Sequence, residues 1–226
     1  TPYRLGMGWI YRYHYHGICR SEEPRPFSHC IYELPLQYMI RHRFLTPPNL
    51  VDAPVAQYDF SQLKAGNNGE YNSREVNQLL VSHPRVTRAI CEQIAELAKS
   101  RQGVMIFAAT VEHAHVVAGY LPPEESALIT GATAQQERDR LIGAFKQKHY
   151  KYLVNVAVLT TGFDEPSVET IVLNRATRSL TLYHQMIGRG SRILPNKPEF
   201  KVVDLGNNAR RFGLWDNPVD WHDIFR

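Results

Sequence analysis

The stretch of residues 104–110 reads Val-Met-Ile-Phe-Ala-Ala-Thr. Five consecutive apolar residues followed by small and polar ones are typical of a strand that is buried on both faces of a parallel sheet. Apolar residues recur at helical spacing on either side, from Pro84 until Gly103 ends the run and from about Val111 to Gly119. The sequence therefore predicts a helix, a buried strand and a second helix in succession.

The same alternation of strands and helices continues towards the C-terminus. Thr133 and Gln136 have the spacing of a capping box, which predicts the start of a helix there. Helical spacing also runs from about Leu180 to Arg189. Repeated β-α units with buried strands predict an α/β domain of three layers, in which helices cover both sides of a mainly parallel sheet. Further strands are predicted at residues 127–129, 152–156, 168–172 and 200–203.

The character of the sequence changes about a third of the way along. Residues 1–80 hold many aromatic residues, prolines and asparagines with little long periodicity, and are predicted to form a linking extension. Within it, residues 9–15 alternate as in a strand and residues 33–44 predict an interrupted helix. Residues 81–206 form the predicted α/β domain, and residues 207–226 a C-terminal tail.

Composition limits the class of protein. With 226 residues, of which 43% are hydrophobic and 21% charged, the chain can bury a real core. No apolar run reaches the roughly 18 to 20 residues that a membrane span needs, so no membrane partner is predicted. Three cysteines without a C-x-x-C pair indicate a reducing, cytoplasmic location. The start at Thr1, with neither a signal peptide nor an initiator Met, leads us to expect part of a longer protein.

Histidines, cysteines and aromatic residues cluster near the N-terminus. The spacing of the histidines and cysteines matches no common zinc site, so no metal is predicted. The alternating aromatic residues favour a buried strand face, with stacking on exposed bases as the alternative. The two groups are His14, His16, Cys19, His29 and Cys30, and Trp9, Tyr11, Tyr13 and Tyr15.

Ligands of such folds bind beyond the carboxyl ends of the strands, so the loops there are the candidate sites. Residues 159–166 read Leu-Thr-Thr-Gly-Phe-Asp-Glu-Pro. Thr160 and Thr161 could donate hydroxyl hydrogen bonds to phosphates, Gly162 permits close approach of the backbone, and Asp164 could hold a ribose hydroxyl. On turn chemistry alone, a turn without a ligand is the simpler account of these residues.

A second candidate segment covers residues 185–192, Gln-Met-Ile-Gly-Arg-Gly-Ser-Arg. If the segment is helical, Gln185, Arg189 and Arg192 share one face and Gly188 clears space beside them. Converging guanidiniums can bind phosphate oxygens bidentately. The alternative is a solvated helix end, where arginine meets the negative end of the helix dipole.

In order and spacing, these segments resemble motifs IV, V and VI of the second RecA-like domain of superfamily 2 helicases. Motif IV corresponds to residues 104–110, motif V to residues 160–166, and the Q-x-x-G-R-x-x-R of motif VI to residues 185–192. Gln185 stands where DEAD-box RNA helicases carry histidine, so the chain looks more like the DNA-directed branch. Several stretches, including residues 152–164, are most similar to bacterial RadD helicases.

The resemblance implies roles for single residues. Arg189 and Arg192 would reach the γ-phosphate of ATP, with Gln185 coupling nearby. Gly162, Asp164 and Gly188 would touch the nucleotide. The nucleic-acid backbone would be contacted by Thr110, Gly131, Arg138, Thr160 and Thr161.

The resemblance also implies partners. They would be DNA, with RNA as the alternative, and an N-terminal RecA-like domain that holds most of the ATP and Mg²⁺. The chain has no G-x-x-x-x-G-K-[ST] loop and no acidic box for Mg²⁺, so we expect it to be inactive in ATP hydrolysis on its own. Two other hypotheses stay open: a double-strand translocase of the restriction or remodelling kind, and a non-catalytic module that binds nucleic acid or protein.

Overall fold

The computed structural model describes residues 34–51, 58–64, 71–156, 158–159 and 163–219. Its centre is a sheet of six parallel strands in the order β1-β6-β5-β2-β4-β3. The strands are β1 Pro48–Val51, β2 Val104–Ala108, β3 Ser126–Ile129, β4 Tyr152–Asn155, β5 Thr170–Asn174 and β6 Phe200–Asp204. The helices are α1 Leu36–Arg41, α2 Ser73–Val81, α3 Pro84–Leu97, α4 Val111–Tyr120, α5 Gln135–Lys146, α6 Leu180–Ile187 and α7 Asn208–Phe212.

Helices cover both faces of this sheet. Successive side chains of β2 alternate between the faces, so Ile106 packs in the core under α2, α3 and α4, while Phe107 packs under α5, α6 and Trp215. Every residue of β2 is buried because the strand lies between two others and beneath both helical layers. The predicted three-layer α/β architecture with a parallel sheet is confirmed.

The predicted elements of this domain are present, with shifted ends. β2 has its predicted bounds and α3 begins at the predicted Pro84, which suits a first helical position. The strand predicted at residues 168–172 begins two residues later, at Thr170. Val168 is fully buried although it precedes the strand, so its apolar character alone suggested an earlier start.

The capping box predicted at Thr133 and Gln136 is wrong. The Thr133 hydroxyl oxygen accepts a hydrogen bond from the backbone N–H of Thr130, at 2.9 Å, and so closes the turn that precedes the helix. Helix α5 begins at Gln135, and its N-cap Ala134 makes no side-chain cap.

The described residues before position 80 pack onto the same sheet and core. β1 pairs with the edge of β6, and α2 buries Val76 and Leu80 against the layer formed by α3 and α4. The domain boundary near residue 80 stays a prediction. Of the two elements expected there, the helix is present as α1, and the strand at residues 9–15 lies outside the described residues.

Within the described part of the chain, no helix is both long enough and apolar enough to cross a membrane.

The loops after β5 and β6 are joined at the carboxyl edge of the sheet. The buried Asp204 carboxylate accepts hydrogen bonds from the N–H groups of Gly206 and Ala209 and from the Asn208 amide. Burial raises the pKa of Asp204, and these hydrogen bonds oppose that rise. Asn208 also donates to the carbonyl of Arg175, at 2.8 Å, so the loop after β5 is held against the loop after β6.

Gly206 allows this close approach of the two loops. A Cβ at Gly206 would lie 2.0 Å from the carbonyl oxygen of Arg175, whereas a Cβ at Gly143, inside α5, would meet nothing within 4 Å. We expect Gly206→Ala to lower the free energy of unfolding by about 1–3 kcal/mol, because backbone atoms must shift. The matched Gly143→Ala variant should raise it by roughly 0.5–1 kcal/mol. Urea unfolding of both variants measures whether each change in the free energy of unfolding has the expected sign. An unchanged free energy of unfolding in Gly206→Ala would contradict the close approach of the two loops.

Candidate functional site

Two chain segments meet at the amino edge of the sheet, and together they form the candidate site. Because they lead into β5 and β6, the expectation that the candidate loops lie beyond the carboxyl ends of the strands is wrong for these segments. The first is residues 163–168, which follow β4 and precede β5. The second is residues 188–197, which follow α6 and precede β6. We call them the first segment and the second segment. Of the predicted motif V residues, Asp164 lies in the first segment, while Thr160, Thr161 and Gly162 lie outside the described residues.

Helix α6 delivers the second segment to this edge. The Ser179 hydroxyl oxygen caps the helix by accepting the N–H of Leu182, at 3.2 Å, and the helix ends at Ile187. A turn of the 3₁₀ type follows, in which the N–H of Arg189 donates to the carbonyl of Met186 and the N–H of Gly190 to the carbonyl of Ile187.

The helix ends before both arginines, so the prediction that Gln185, Arg189 and Arg192 share one helix face is wrong. Gly190 explains the geometry, because a Cβ there would lie 2.2 Å from the ring of Phe200. The backbone therefore passes close over β6 and leaves the helical path. Gln185 and Arg189 are 6% and 7% exposed, whereas Arg192 reaches solvent.

Arg189 lies under the first segment. Its guanidinium donates to the carbonyl oxygen of Phe163, and its Nε donates to the carbonyl oxygen of Gln185 at 3.4 Å. Burial lowers the pKa of Arg189; the nearby Arg192 lowers it further and Asp164 opposes this. An arginine pKa is far enough above neutrality that the side chain stays cationic. The structure thus places a buried positive charge against the carbonyl of Phe163, the residue before Asp164.

Arg192 and Asp164 form an ion pair at the mouth of the site. The Arg192 Nε donates to the Asp164 carboxylate at 2.9 Å, and the two side chains are 45% and 73% exposed. Such exposed pairs are weak because water screens them. Both groups are therefore accessible to a ligand that offers a phosphate to the arginine and a hydroxyl to the carboxylate.

Lys197 joins the two segments and was not recognised from the sequence. Its ammonium donates to the carbonyl oxygens of Pro166 at 2.8 Å, Val168 at 3.1 Å and Gly190 at 2.9 Å. Burial lowers the pKa of Lys197 to about 8, with Glu169 and Glu165 opposing the shift. The only sequence signal is a lysine between two prolines, which has no periodicity to reveal its burial.

Thr46 supports the second segment from the opposite side. Its N–H donates to the carbonyl of Ser191 at 2.8 Å, and its hydroxyl donates to the carbonyl of Arg192 at 3.0 Å. The Ser191 hydroxyl in turn donates to the carbonyl of Gly188, at 2.9 Å. The backbone on both sides of Gly190 is therefore fixed, although the Arg192 side chain is exposed.

The predicted nucleic-acid contacts Thr110, Gly131 and Arg138 lie beyond the carboxyl ends of β2 and β3, at the opposite edge of the sheet from the two segments. Gly131 is exposed, and the backbone carbonyl of Thr133 accepts a hydrogen bond from Arg138 at 3.4 Å. The Arg138 Nε is buried without a hydrogen-bond partner among the described residues. Because its other nitrogens can turn to solvent, this half-buried guanidinium has donors to offer.

Thr110 has a structural role as well. Its hydroxyl caps α4 by accepting the N–H of His113 at 3.1 Å, and it donates to the side chain of Asn77 on α2. The hydroxyl is thus engaged within the domain. Thr110 is also 6% exposed, and its nucleic-acid role stays a prediction.

His113 holds the turn that contains Thr110. The His113 Nδ1 accepts the N–H of Ala109 at 3.3 Å, which leaves the proton on Nε2, 3.4 Å from the hydroxyl oxygen of Tyr58. Tyr58 donates its own proton to Thr87, at 2.6 Å. Burial lowers the pKa of His113 to about 4. The neutral imidazole therefore links the segment around Tyr58 to the end of β2.

This histidine predicts acid sensitivity. Between about pH 6.5 and pH 4, His113 is protonated in the unfolded chain but stays neutral in the folded one. The free energy of unfolding therefore falls as pH falls. We expect His113→Gln to lose on the order of 1–2 kcal/mol less than the wild type between pH 7 and pH 5. The control His115→Gln changes an exposed histidine of the same helix. Urea titrations at pH 7 and pH 5 measure these losses. An equal loss of unfolding free energy in His113→Gln and wild type would contradict the assignment.

The family match covers the first segment and the second segment as far as Leu194. Residues 85–194 match the family model of the helicase conserved C-terminal domain. The Schizosaccharomyces pombe protein irc3, named as a mitochondrial ATP-dependent helicase, is 34% identical over 55% of this chain. The endonuclease subunit of the type I restriction enzyme EcoKI of Escherichia coli is 33% identical over 54% of it. These matches support a superfamily 2 helicase C-terminal domain.

A solved structure shares the fold over nearly the whole chain. A fragment described as an HsdR subunit of a type I restriction enzyme from Vibrio vulnificus superposes over 97% of this chain with a TM-score of 0.66, at 20% identity. The matched stretch spans 41% of that chain, 21% of irc3 and 12% of the EcoKI subunit. The chain therefore matches less than half the length of each of these relatives.

Proposed function

We propose that this chain is the second motor domain of an ATP-dependent DNA helicase or translocase. The observation that carries the proposal is the meeting of Arg189, Arg192 and Asp164 at the amino edge of the sheet. Arg189 is fixed beneath the first segment, and the Arg192–Asp164 pair is exposed. A buried cation beside an exposed and weakly paired one is suited to a phosphate that arrives from a facing domain.

ATP would bind in a cleft between this domain and a first RecA-like domain. Arg192 would exchange its contact with Asp164 for the γ-phosphate, and the Asp164 carboxylate would then accept a ribose hydroxyl. Arg189, already held by the carbonyl of Phe163, would add a second positive charge where negative charge develops during hydrolysis. Gln185 lies buried beneath Arg189, and Gly188 follows it at the helix end, where a coupling role is compatible with their positions.

Mg²⁺ would be held outside the described part of this chain. Among the described residues, no group of three His, Cys, Asp or Glu side chains lies close enough together to hold a metal ion. The first motor domain would therefore supply the metal ligands and the phosphate-binding loop. What the present residues do is bind and orient the phosphate through guanidiniums, which needs no metal ligand from this domain.

Nucleic acid would cross the turns after β2 and β3. Gly131, the half-buried guanidinium of Arg138 and the turn at Thr110 all lie at the carboxyl edge of the sheet, and Thr160 and Thr161 would add their hydroxyls to this contact. Contacts of this kind address the sugar-phosphate backbone and not the base sequence. Binding should therefore weaken steeply as salt concentration rises.

A translocase that moves along duplex DNA without separating it is a second candidate. The identity with the EcoKI subunit favours it. A forked-duplex assay separates the two, because a helicase releases the displaced strand. A triplex-displacement assay detects the translocase instead. Parallel assays with RNA forks test the RNA alternative, and the RadD-like assignment would predict activity on DNA alone.

Arg192→Ala tests the arginine role with little risk to the fold. The assay uses the joined protein, in which the polypeptide encoded upstream of Thr1 is fused to this chain. In it we expect DNA-stimulated ATP hydrolysis to fall roughly a thousandfold, because the γ-phosphate loses an arginine. The control Arg88→Ala removes another exposed, ion-paired arginine, whose Nε lies 3.0 Å from the Glu92 carboxylate on helix α3. Steady-state ATPase assays give the result.

Wild-type turnover in the Arg192→Ala protein, with the melting temperature unchanged, would overturn the role of Arg192. If the joined wild-type protein binds nucleic acid or another protein but hydrolyses no ATP, the non-catalytic binding module replaces the motor proposal. In that case the effect of Arg192→Ala would be seen in the binding of nucleic acid or protein, since there would be no rate of ATP hydrolysis to compare.

A further inference from the structure

Lys197 is a buried cation outside all three sequence motifs. It is 8% exposed, and the three carbonyl oxygens around its ammonium lie 2.8–3.1 Å away. An ammonium group has three N–H donors, so each finds one acceptor here. Burying a charge is costly unless it is fully hydrogen-bonded, and this arrangement meets that requirement without a carboxylate partner.

The three carbonyls belong to two different segments of the site. Pro166 and Val168 follow Asp164 by two and four residues in the first segment, and Gly190 lies between Arg189 and Arg192 in the second. Lys197 therefore ties the backbone that presents the carboxylate to the backbone that presents both arginines. No backbone hydrogen bond that the structure shows joins residues 163–168 to residues 188–192.

The other contacts between the segments are made by the groups that the proposed function uses. Arg189 holds the carbonyl of Phe163, and Arg192 holds Asp164. When Arg192 turns to a phosphate, its contact with Asp164 is lost. Lys197 has no such task, because its ammonium is enclosed and its donors are used, so its contacts persist through the cycle.

We propose that Lys197 is a positioning residue that fixes the arginines relative to Asp164 and thereby sets the rate of ATP hydrolysis; this rests on the proposed function. It touches neither nucleotide nor nucleic acid in this account. Its effect passes through the carbonyl of Gly190, on whose two sides the arginines are attached. A small displacement of this backbone would move both guanidiniums away from the γ-phosphate.

The test compares Lys197→Met with Lys201→Met in the chain joined to its upstream coding sequence. Lys201 provides a matched control, because it too is a partly buried lysine on a backbone carbonyl, that of Leu97 at 3.2 Å, but its side chain lies on the opposite face of the sheet from Phe200 and Gly190. We expect Lys197→Met to lower kcat for DNA-stimulated ATP hydrolysis roughly 10- to 100-fold, since misplacement by about 1 Å costs that much. KM for ATP should change less than about threefold, because the first domain holds most of the nucleotide.

The split between kcat and KM separates positioning from stability. A purely structural loss would lower the melting temperature and the active fraction in both lysine variants alike. Wild-type kcat in folded Lys197→Met, or an equal kcat loss in Lys201→Met at matched melting temperature, would overturn the inference. If Lys197→Met does not fold, Lys197→Arg replaces it; this variant keeps a donor cation of different shape and should show a smaller kcat loss at unchanged KM.

A second measurement does not depend on enzymatic activity. Hydrogen exchange of this chain alone should show faster exchange of backbone amides at residues 163–168 and 188–192 in Lys197→Met than in Lys201→Met. Unchanged exchange there would overturn the positioning role. A different outcome is also possible: the joined wild-type protein hydrolyses no ATP, while Lys197→Met still speeds exchange in the two segments. That result would refute the proposed function but not the link that Lys197 makes between the segments.

Discussion

Hydrogen bonds from two buried cations to backbone carbonyls hold the site together. Arg189 donates to Phe163, and Lys197 donates to Pro166, Val168 and Gly190. Loop carbonyls left unpaired in a dry interior would destabilise the fold, and cations left unpaired would destabilise it more. Each group therefore stabilises the other, and together they bring the residues after β4 against the residues after α6.

The sheet decides where this happens. Parallel strands place all their amino ends at one edge, so the segments that lead into β1, β5 and β6 become neighbours there although they are distant in sequence. Gly190 lies on the ring of Phe200 in β6, and Thr46, just before β1, holds the carbonyl of Arg192. The outer strands thus do more than widen the sheet, because their ends hold the segment with the arginines in place. Among the three charged side chains Arg189, Arg192 and Asp164, the last two remain accessible while Arg189 is buried.

Strands and helices were predictable because their signals are local. A continuous apolar run such as Val104–Ala108 is long enough to indicate a buried strand, and the two site loops follow from that alternation. The shared helix face for Gln185, Arg189 and Arg192 was wrong because a distant ring, Phe200, bends the backbone at Gly190. Lys197 was missed for a related reason: its partners are backbone carbonyls, which leave no trace in the side-chain pattern.

The most direct test is a crystal structure of the chain joined to its upstream coding sequence, with ADP, aluminium fluoride and single-stranded DNA. The account predicts that Arg189 and Arg192 both lie within hydrogen-bond distance of the fluoride, that Arg192 has left Asp164, and that Lys197 keeps its three carbonyls. An Arg192 that remains on Asp164, with the fluoride beyond hydrogen-bond distance of both guanidiniums, would contradict it.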